Sequence, residues 1–396
     1  MAVLGPGIIT SNVDNDAGGI TTYSLAGANF GYTLLWSLIP ITLVLIVVQE
    51  MCARMGVVTG KGLADLIREN YGVKITFFIM AALFIVNLGN TVSEFAGIAA
   101  SCEIFGVKKF LSVPLCAMAV WLIVVKGTYK SVEKIFLVAC VFYLTYIVSG
   151  FLAKPDWAVV VPQTFKPEFQ FRSSAYLTML MAIIGTTIAP WMQFYLQASV
   201  VEKGISLENY KYSRADVIVG SFVVNIVAFF IIVACAATIF KAGIHVQTAK
   251  DAALALAPIA GKYCSLLFAF GLLNASLFAA SILPLSTAYS ICEAFGFESG
   301  VNKKFKEAPQ FYSIYTGTIV FSAGLVLLPN FPYIKAMYIS QVINGMLLPF
   351  VLIFMLLLIN KRELMGGYVN SRPLNIIAWV SVIAIIALSV GMLVTI

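Results

Sequence analysis

Ser11-Asn12-Val13-Asp14-Asn15-Asp16-Ala17-Gly18-Gly19, running on into Ile20-Thr21-Thr22, decides the fold. It interrupts an apolar run near residues 3–29 that is long enough to cross a bilayer. Two aspartates, two asparagines and paired glycines therefore fall at membrane depth. A charge at the bilayer centre costs about 2.5–3.5 kcal/mol on insertion scales, and Asn, Asp and Gly favour non-helical backbone. Broken backbone survives inside a membrane only where it is buried in protein or lines a watery cavity. A second interruption occurs at Gly185-Thr186-Thr187-Ile188-Ala189-Pro190-Trp191, where Pro190 removes an amide donor and crowds the preceding turn.

The surrounding sequence is that of a membrane protein. Of 396 residues, 61% are hydrophobic and 11% charged, with a mean hydropathy of +0.96; soluble proteins carry about 25% charged residues. The net charge of +7 comes from cations scattered between long apolar runs. That excludes a DNA binder, a secreted disulfide scaffold and a soluble enzyme. The seven cysteines show no CxxC spacing and read as buried small hydrophobes. No cleavable signal peptide is expected, because the first apolar run lacks a basic start and carries two aspartates.

Eleven spans are predicted, near 3–29, 33–53, 75–105, 110–126, 131–153, 174–200, 215–240, 263–295, 311–328, 334–359 and 373–396. Amphipathic pieces near 62–70 and 248–259 read as short surface helices. With the N-terminus in the cytoplasm, inner loops hold 16 of the 25 Lys and Arg and outer loops 25 − 16 = 9. The positive-inside rule thus favours N-terminus in and C-terminus out. The two interruptions open spans one and six, equivalent places in two halves of five spans. Interrupted helices so placed are the pointer to a substrate site in inverted-repeat transporters. The chain is read as one transmembrane domain over residues 1–396: repeat one at about 3–153, repeat two at about 174–359, and an extra helix at about 373–396. Pro40, Pro114, Pro284 and Pro349 read as tolerated kinks.

Gly5-Pro6-Gly7, Asp16-Ala17-Gly18-Gly19, Ala26-Gly27-Ala28-Asn29-Phe30-Gly31-Tyr32 and Leu34-Leu35-Trp36 resemble the opening of the NRAMP divalent-metal transporters. Gly56-Val57-Val58-Thr59-Gly60-Lys61-Gly62-Leu63, Ser340-Gln341-Val342 and Leu348-Pro349-Phe350 extend the likeness to about residue 350. The resemblance implies an all-α integral membrane protein of LeuT-like fold, five plus five inverted spans and one more, working by alternating access. It also implies a metal site. The family's first-span Asp-Pro-Gly-Asn maps to Asp16, which keeps the carboxylate, and Gly19, which offers only backbone. Its sixth-span Met-Pro-His maps to Ala189-Pro190-Trp191, its carbonyl ligand to Thr186, and its tenth-span glutamine to Gln341.

The departures are chemical. Ala189 removes the soft thioether and Gly19 a second side chain, leaving a wider site of hard oxygen donors that includes the Thr186 and Thr187 hydroxyls. Carboxylate, carbonyl and water suit Mg²⁺, Ca²⁺ and Mn²⁺, and Mg²⁺ keeps several waters around one or two carboxylates. The chain therefore resembles the prokaryotic NRAMP-related magnesium transporters, with Mg²⁺ or Mn²⁺ as transported substrate rather than cofactor. Proton-coupled members use acids in the third span and histidines in the sixth. Here Glu94 remains, Thr91 stands where an aspartate is expected, and the sixth span has no histidine. His245 falls in a predicted loop. Transport without proton coupling is expected.

Asp14, Glu94 and Trp191 are pathway or support candidates. Asp14 and Asp16 lie about 200° apart on a helix, so both face one ion only if the segment is unwound; otherwise Asp14 caps broken backbone. Glu94 either serves the pathway or accepts hydrogen bonds from that backbone. Trp191 plugs a proton route or packs, and packing is the simpler reading. Nearly all other acids are expected at span ends or in loops. Rival readings are a proton-coupled Mn²⁺ or Fe²⁺ transporter, an amino-acid transporter of the same fold, and a non-transporting sensor. A membrane enzyme is not expected, since no nucleophile–base or metal-hydrolase spacing occurs. The partners expected are divalent metal ions and an inner-membrane bilayer, with no nucleic acid and no obligate protein partner.

Overall fold

A computed structural model describes residues 7, 10, 13–126, 144–256 and 261–395. Its architecture is all helical among those residues. The helices are α1 (Ala17–Phe30), α2 (Leu38–Thr59), α3 (Leu63–Ile104), α4 (Lys109–Lys126), α5 (Leu144–Leu152), α6 (Trp157–Phe165), α7 (Ser174–Thr187) and α8 (Pro190–Glu202). They continue with α9 (Tyr210–Cys235), α10 (Ala249–Ala253), α11 (Cys264–Phe295), α12 (Pro309–Val326), α13 (Tyr333–Ile359), α14 (Arg362–Met365) and α15 (Arg372–Thr395).

Each expected span contains a described helix, and among the described residues eight helical stretches are long and apolar enough to cross a membrane. Most of span one before Val13 and residues 127–143 of the fifth-span region lie outside the described residues. Glycine ends two long helices: Gly60 (φ 64°) closes α2 and Gly296 (φ 73°) closes α11. Both occupy the left-handed conformation in which only glycine avoids a Cβ penalty. Gly72 (φ 82°) breaks α3. It separates the expected short helix from the third span, and Leu63, Ala64, Leu66 and Ile67 of that piece are buried rather than superficial. The second short piece is α10, started by a reciprocal Thr248–Asp251 capping box.

Burial sorts the helices into layers. Every residue of α1 from Ala17 to Ala28, and of α8 from Pro190 to Val200, is buried. A helix buried all round belongs in the middle of a bundle. α3, α9, α11 and α13 surround that centre: α11 and α13 pack on α3, α13 on α7, and α9 on α1 and α2. The outer faces of α3, α4 and α15 expose Phe78, Phe110, Ile376 and Val394, as a lipid-facing surface requires.

One expectation needs correction. The second span runs past residue 53 to Thr59, carrying Glu50 and Arg54 as a buried ion pair at 3.1 Å. The pair, one turn apart, neutralises itself, so the helix need not end at its first charge. Asp216 on α9 is also buried and accepts the Gly7 amide at 2.6 Å. Buried acids are therefore not confined to Asp14, Asp16 and Glu94.

Candidate cation site at the two helix breaks

The first break is an unwound turn. Val13 is helical, Asp14 and Asn15 turn, and Asp16 bends into extended backbone (φ −67°, ψ −173°) before α1 starts at Ala17. Asp16 caps that start: its Oδ1 accepts the Gly19 amide at 2.6 Å, and its own amide donates to the Val13 carbonyl at 3.0 Å. Aspartate suits a helix N-cap because it answers bare amides and the positive end of the helix dipole. A second amide at this end, Ala17 N–H, donates to Glu94 Oε2 at 3.2 Å. Glu94 is fully buried, and its Oε1 has no partner.

The second break separates α7 from α8. Ile188 closes α7 by donating to the Ile184 carbonyl at 2.9 Å, Ala189 is extended (φ −68°, ψ 141°), and Pro190 is the first residue of α8. Proline fits that first position, where its missing N–H costs nothing. The same missing N–H leaves the Thr186 carbonyl without its i+4 donor. Pro190 thus begins a helix and frees an acceptor.

The breaks meet. A Cβ at Gly19 would sit 3.2 Å from Thr186 Oγ1 and would overlap the Asp14 carbonyl. Thr186 Oγ1 donates to that carbonyl at 3.4 Å. A Cβ at Gly18 would overlap the Gln341 amide, so α13 closes on α1 only because residue 18 is glycine. Asn344 Nδ2 donates to Gln341 Oε1 at 2.8 Å and to Asn90 Oδ1 at 3.0 Å, and Asn90 Nδ2 returns a bond to Asn344 Oδ1 at 2.9 Å. The glutamine is thereby held by α3, which also carries Glu94 one turn on.

Asp14, Asp16, Gly19, Glu94, Thr186 and Gln341 therefore converge, and Asp14, Asp16, Thr186 and Gln341 are at most 4% exposed. Thr187 is drawn elsewhere: its hydroxyl donates to the Ile183 carbonyl at 2.8 Å and lies 2.7 Å from the Tyr23 hydroxyl. Ala189 is buried and its carbonyl accepts the Met192 amide at 3.1 Å. Trp191 is buried, its carbonyl accepts from Ser286 Oγ at 3.0 Å and its ring lies 6.2 Å from Tyr195. His245 is exposed in an irregular segment. Tyr23, Asn90 and Asn344 escaped the reading of the sequence as site residues. Spacing alone held the clue, with Asn90 four residues before Glu94 and Asn344 three after Gln341 on shared helix faces.

The donors at the junction are carboxylate, carbonyl and hydroxyl oxygens, a hard set, while Gln341 turns its Nε2 toward Gly18 and its Oε1 to Asn344. Among the described residues no group of three or more His, Cys, Asp or Glu forms a metal cluster, so hydroxyl, backbone or water oxygen has to complete any cation shell.

The sequence profile described as "Natural resistance-associated macrophage protein-like" matches residues 7–395. The chain belongs to the NRAMP family of divalent-metal transporters. Relatives within it include the "Divalent metal cation transporter MntH" of Deinococcus radiodurans, 27% identical over 98% of this chain and 88% of its own length. The protein of the same name from Bacillus subtilis is 24% identical over 99% and 91%. Among solved structures, the Eremococcus coleocola manganese transporter superposes with a TM-score of 0.81 at 21% identity, covering 97% of this chain and 84% of that one. Mhp1, a nucleobase-cation-symport-1 family transporter in a closed conformation, superposes at 0.63 with 13% identity over 99% and 90%. The NRAMP chain thus has the LeuT-like fold with helices one and six broken.

Proposed function

We propose that this NRAMP chain is a multi-pass membrane transporter that carries Mg²⁺ and Mn²⁺ into the cytoplasm by alternating access, without proton coupling, its N-terminus inside and C-terminus outside. The observation that carries the reading is the set of carboxylate, carbonyl and hydroxyl oxygens around Asp16, with Ala189 where a thioether would favour softer metals. The relatives' names speak for divalent cations and manganese; magnesium rests on the donor chemistry alone. An inside-negative potential of 100 mV supplies about 2.3 kcal/mol per elementary charge, or about 4.6 kcal/mol for a divalent ion. No second ion is needed to drive uptake.

The test is flux into proteoliposomes with a set membrane potential, a lumenal pH dye, and Asp16→Ala alongside. Uptake of both ions that follows the potential, leaves lumenal pH unchanged and disappears in Asp16→Ala is expected. Intact transport in Asp16→Ala rules the site out. A second reading, proton-coupled Mn²⁺ uptake, draws on the unpartnered Glu94 Oε1. Lumenal acidification that tracks metal uptake would favour it.

A further inference from the structure

Asp14 is the least explained residue of the core. It is 1% exposed, and neither carboxylate oxygen has a hydrogen-bond partner. A role in capping the broken backbone fails on that ground, since the capping of α1 falls to Asp16 and Glu94. Two helical residues two apart face different ways, but residues 14–16 are turn and bend. The Asp14 carbonyl lies against Gly19, whose amide donates to Asp16 Oδ1 at 2.6 Å, so the turn brings both buried acids to one end of α1.

Among the described residues no cation is placed to answer them. The only buried lysine or arginine among the described residues is Arg54. It is bound to Glu50, Asn370 and the Tyr368 and Val369 carbonyls. A buried carboxylate without a counter-charge or donor is costly, and a divalent ion supplies the missing charge. Gly19 makes the arrangement possible, because the Asp14 carbonyl lies where a side chain at that position would begin. The family ligand lost at residue 19 leaves the space that the main chain of residue 14 enters.

We propose that Asp14 is a second anionic ligand of the transported divalent cation, paired with Asp16 across the first break. Two carboxylates then match the two charges of the ion, with the Thr186 hydroxyl beside the Asp14 carbonyl. The inference rests on the transport site proposed above and adds a ligand to it.

Isothermal titration of the purified full chain in detergent with MnCl₂ and with MgCl₂ tests it, together with melting with and without metal. Asp14→Asn is expected to weaken binding of both ions at least tenfold and to abolish the metal-induced rise in melting temperature. Without metal it is expected to melt no lower than the parent, since an amide replaces an unpaired charge. Asp14→Ser serves where Asp14→Asn does not fold, with the same expectations for binding. Binding within twofold of the parent in the Asp14 variant, while Asp16→Asn abolishes it, overturns the role of Asp14 and leaves the site standing. Parent-like binding in both variants overturns the site itself.

Discussion

The Ala17 amide and the Glu94 carboxylate meet at 3.2 Å, tying the start of the rebuilt first helix to the middle of the third span. The contact is tight because Gly97, three residues on, leaves no room for a side chain: a Cβ there would lie 2.6 Å from the Ala17 methyl. Glu94 is thus a support for broken backbone, whatever else it does. Its second oxygen is spare, but its first is engaged.

That separates two substitutions. Glu94→Gln keeps an acceptor for Ala17, while Glu94→Ala strands a buried amide at a cost of about 1–3 kcal/mol. The alanine variant is expected to melt clearly below the parent in detergent and to lose flux, and the glutamine variant to retain most of both. Equal loss in the two variants would show that the charge, not the hydrogen bond, matters.

The contact between α7 and α13 gives a second prediction. A Cβ at Gly185 would lie 2.9 Å from the Gly345 Cα, against backbone that cannot swing aside. Overpacking typically costs about 1–3 kcal/mol. Gly185→Ala is expected to lower the melting temperature and to shift Gln341 away from the first break, so metal should protect this variant less than the parent. A parent-like melting curve with full metal protection would contradict the close approach.

The asparagine pair can be measured directly. Asn90 and Asn344 exchange amide hydrogen bonds at 2.9 and 3.0 Å across two spans. Interhelical hydrogen bonds of this kind average about 0.6 kcal/mol in double-mutant cycles. Asn90→Ala, Asn344→Ala and the double variant, compared by denaturant unfolding, should give a favourable coupling of that order. Zero coupling would mean the pair does not form in the folded protein.

How much of this could be read in the sequence depends on range. Both breaks were legible, because Asp16 with paired glycines and Pro190 before an aromatic run carry local chemistry that an apolar helix does not tolerate. The use made of each break was less so. Pro190 reads as an interruption in sequence and is also a helix start in space, a role set by the extended Ala189 before it. Thr187, one residue from Thr186, is turned to Tyr23 by its own bond to Ile183. Partners such as Asn344 for Asn90 or Asp216 for Gly7 lie more than 200 residues away, and no local pattern announces them.

The buried ion pair of α2 supplies the last prediction. Arg54 donates to Glu50 at 3.1 Å and to the carbonyls of Tyr368 and Val369 at 3.0 and 3.2 Å, and it reaches Asn370 as well. Glu50 in turn accepts from the Tyr210 hydroxyl at the start of α9. One guanidinium thus ties the second span to the loop entering α15, the helix outside the repeat. Removing one partner of a buried pair costs about 3–5 kcal/mol, whereas replacing both with uncharged groups is often neutral. Arg54→Met is therefore expected to melt far below the parent. Glu50→Gln with Arg54→Met should recover most of the loss, because glutamine still offers Tyr210 an acceptor and no lone charge stays behind. Release of the α15 loop has no such remedy in the double variant, so faster hydrogen exchange across residues 366–371 should persist in both. If the double variant melts as low as Arg54→Met, the arginine stabilises the bundle through that loop rather than through the ion pair.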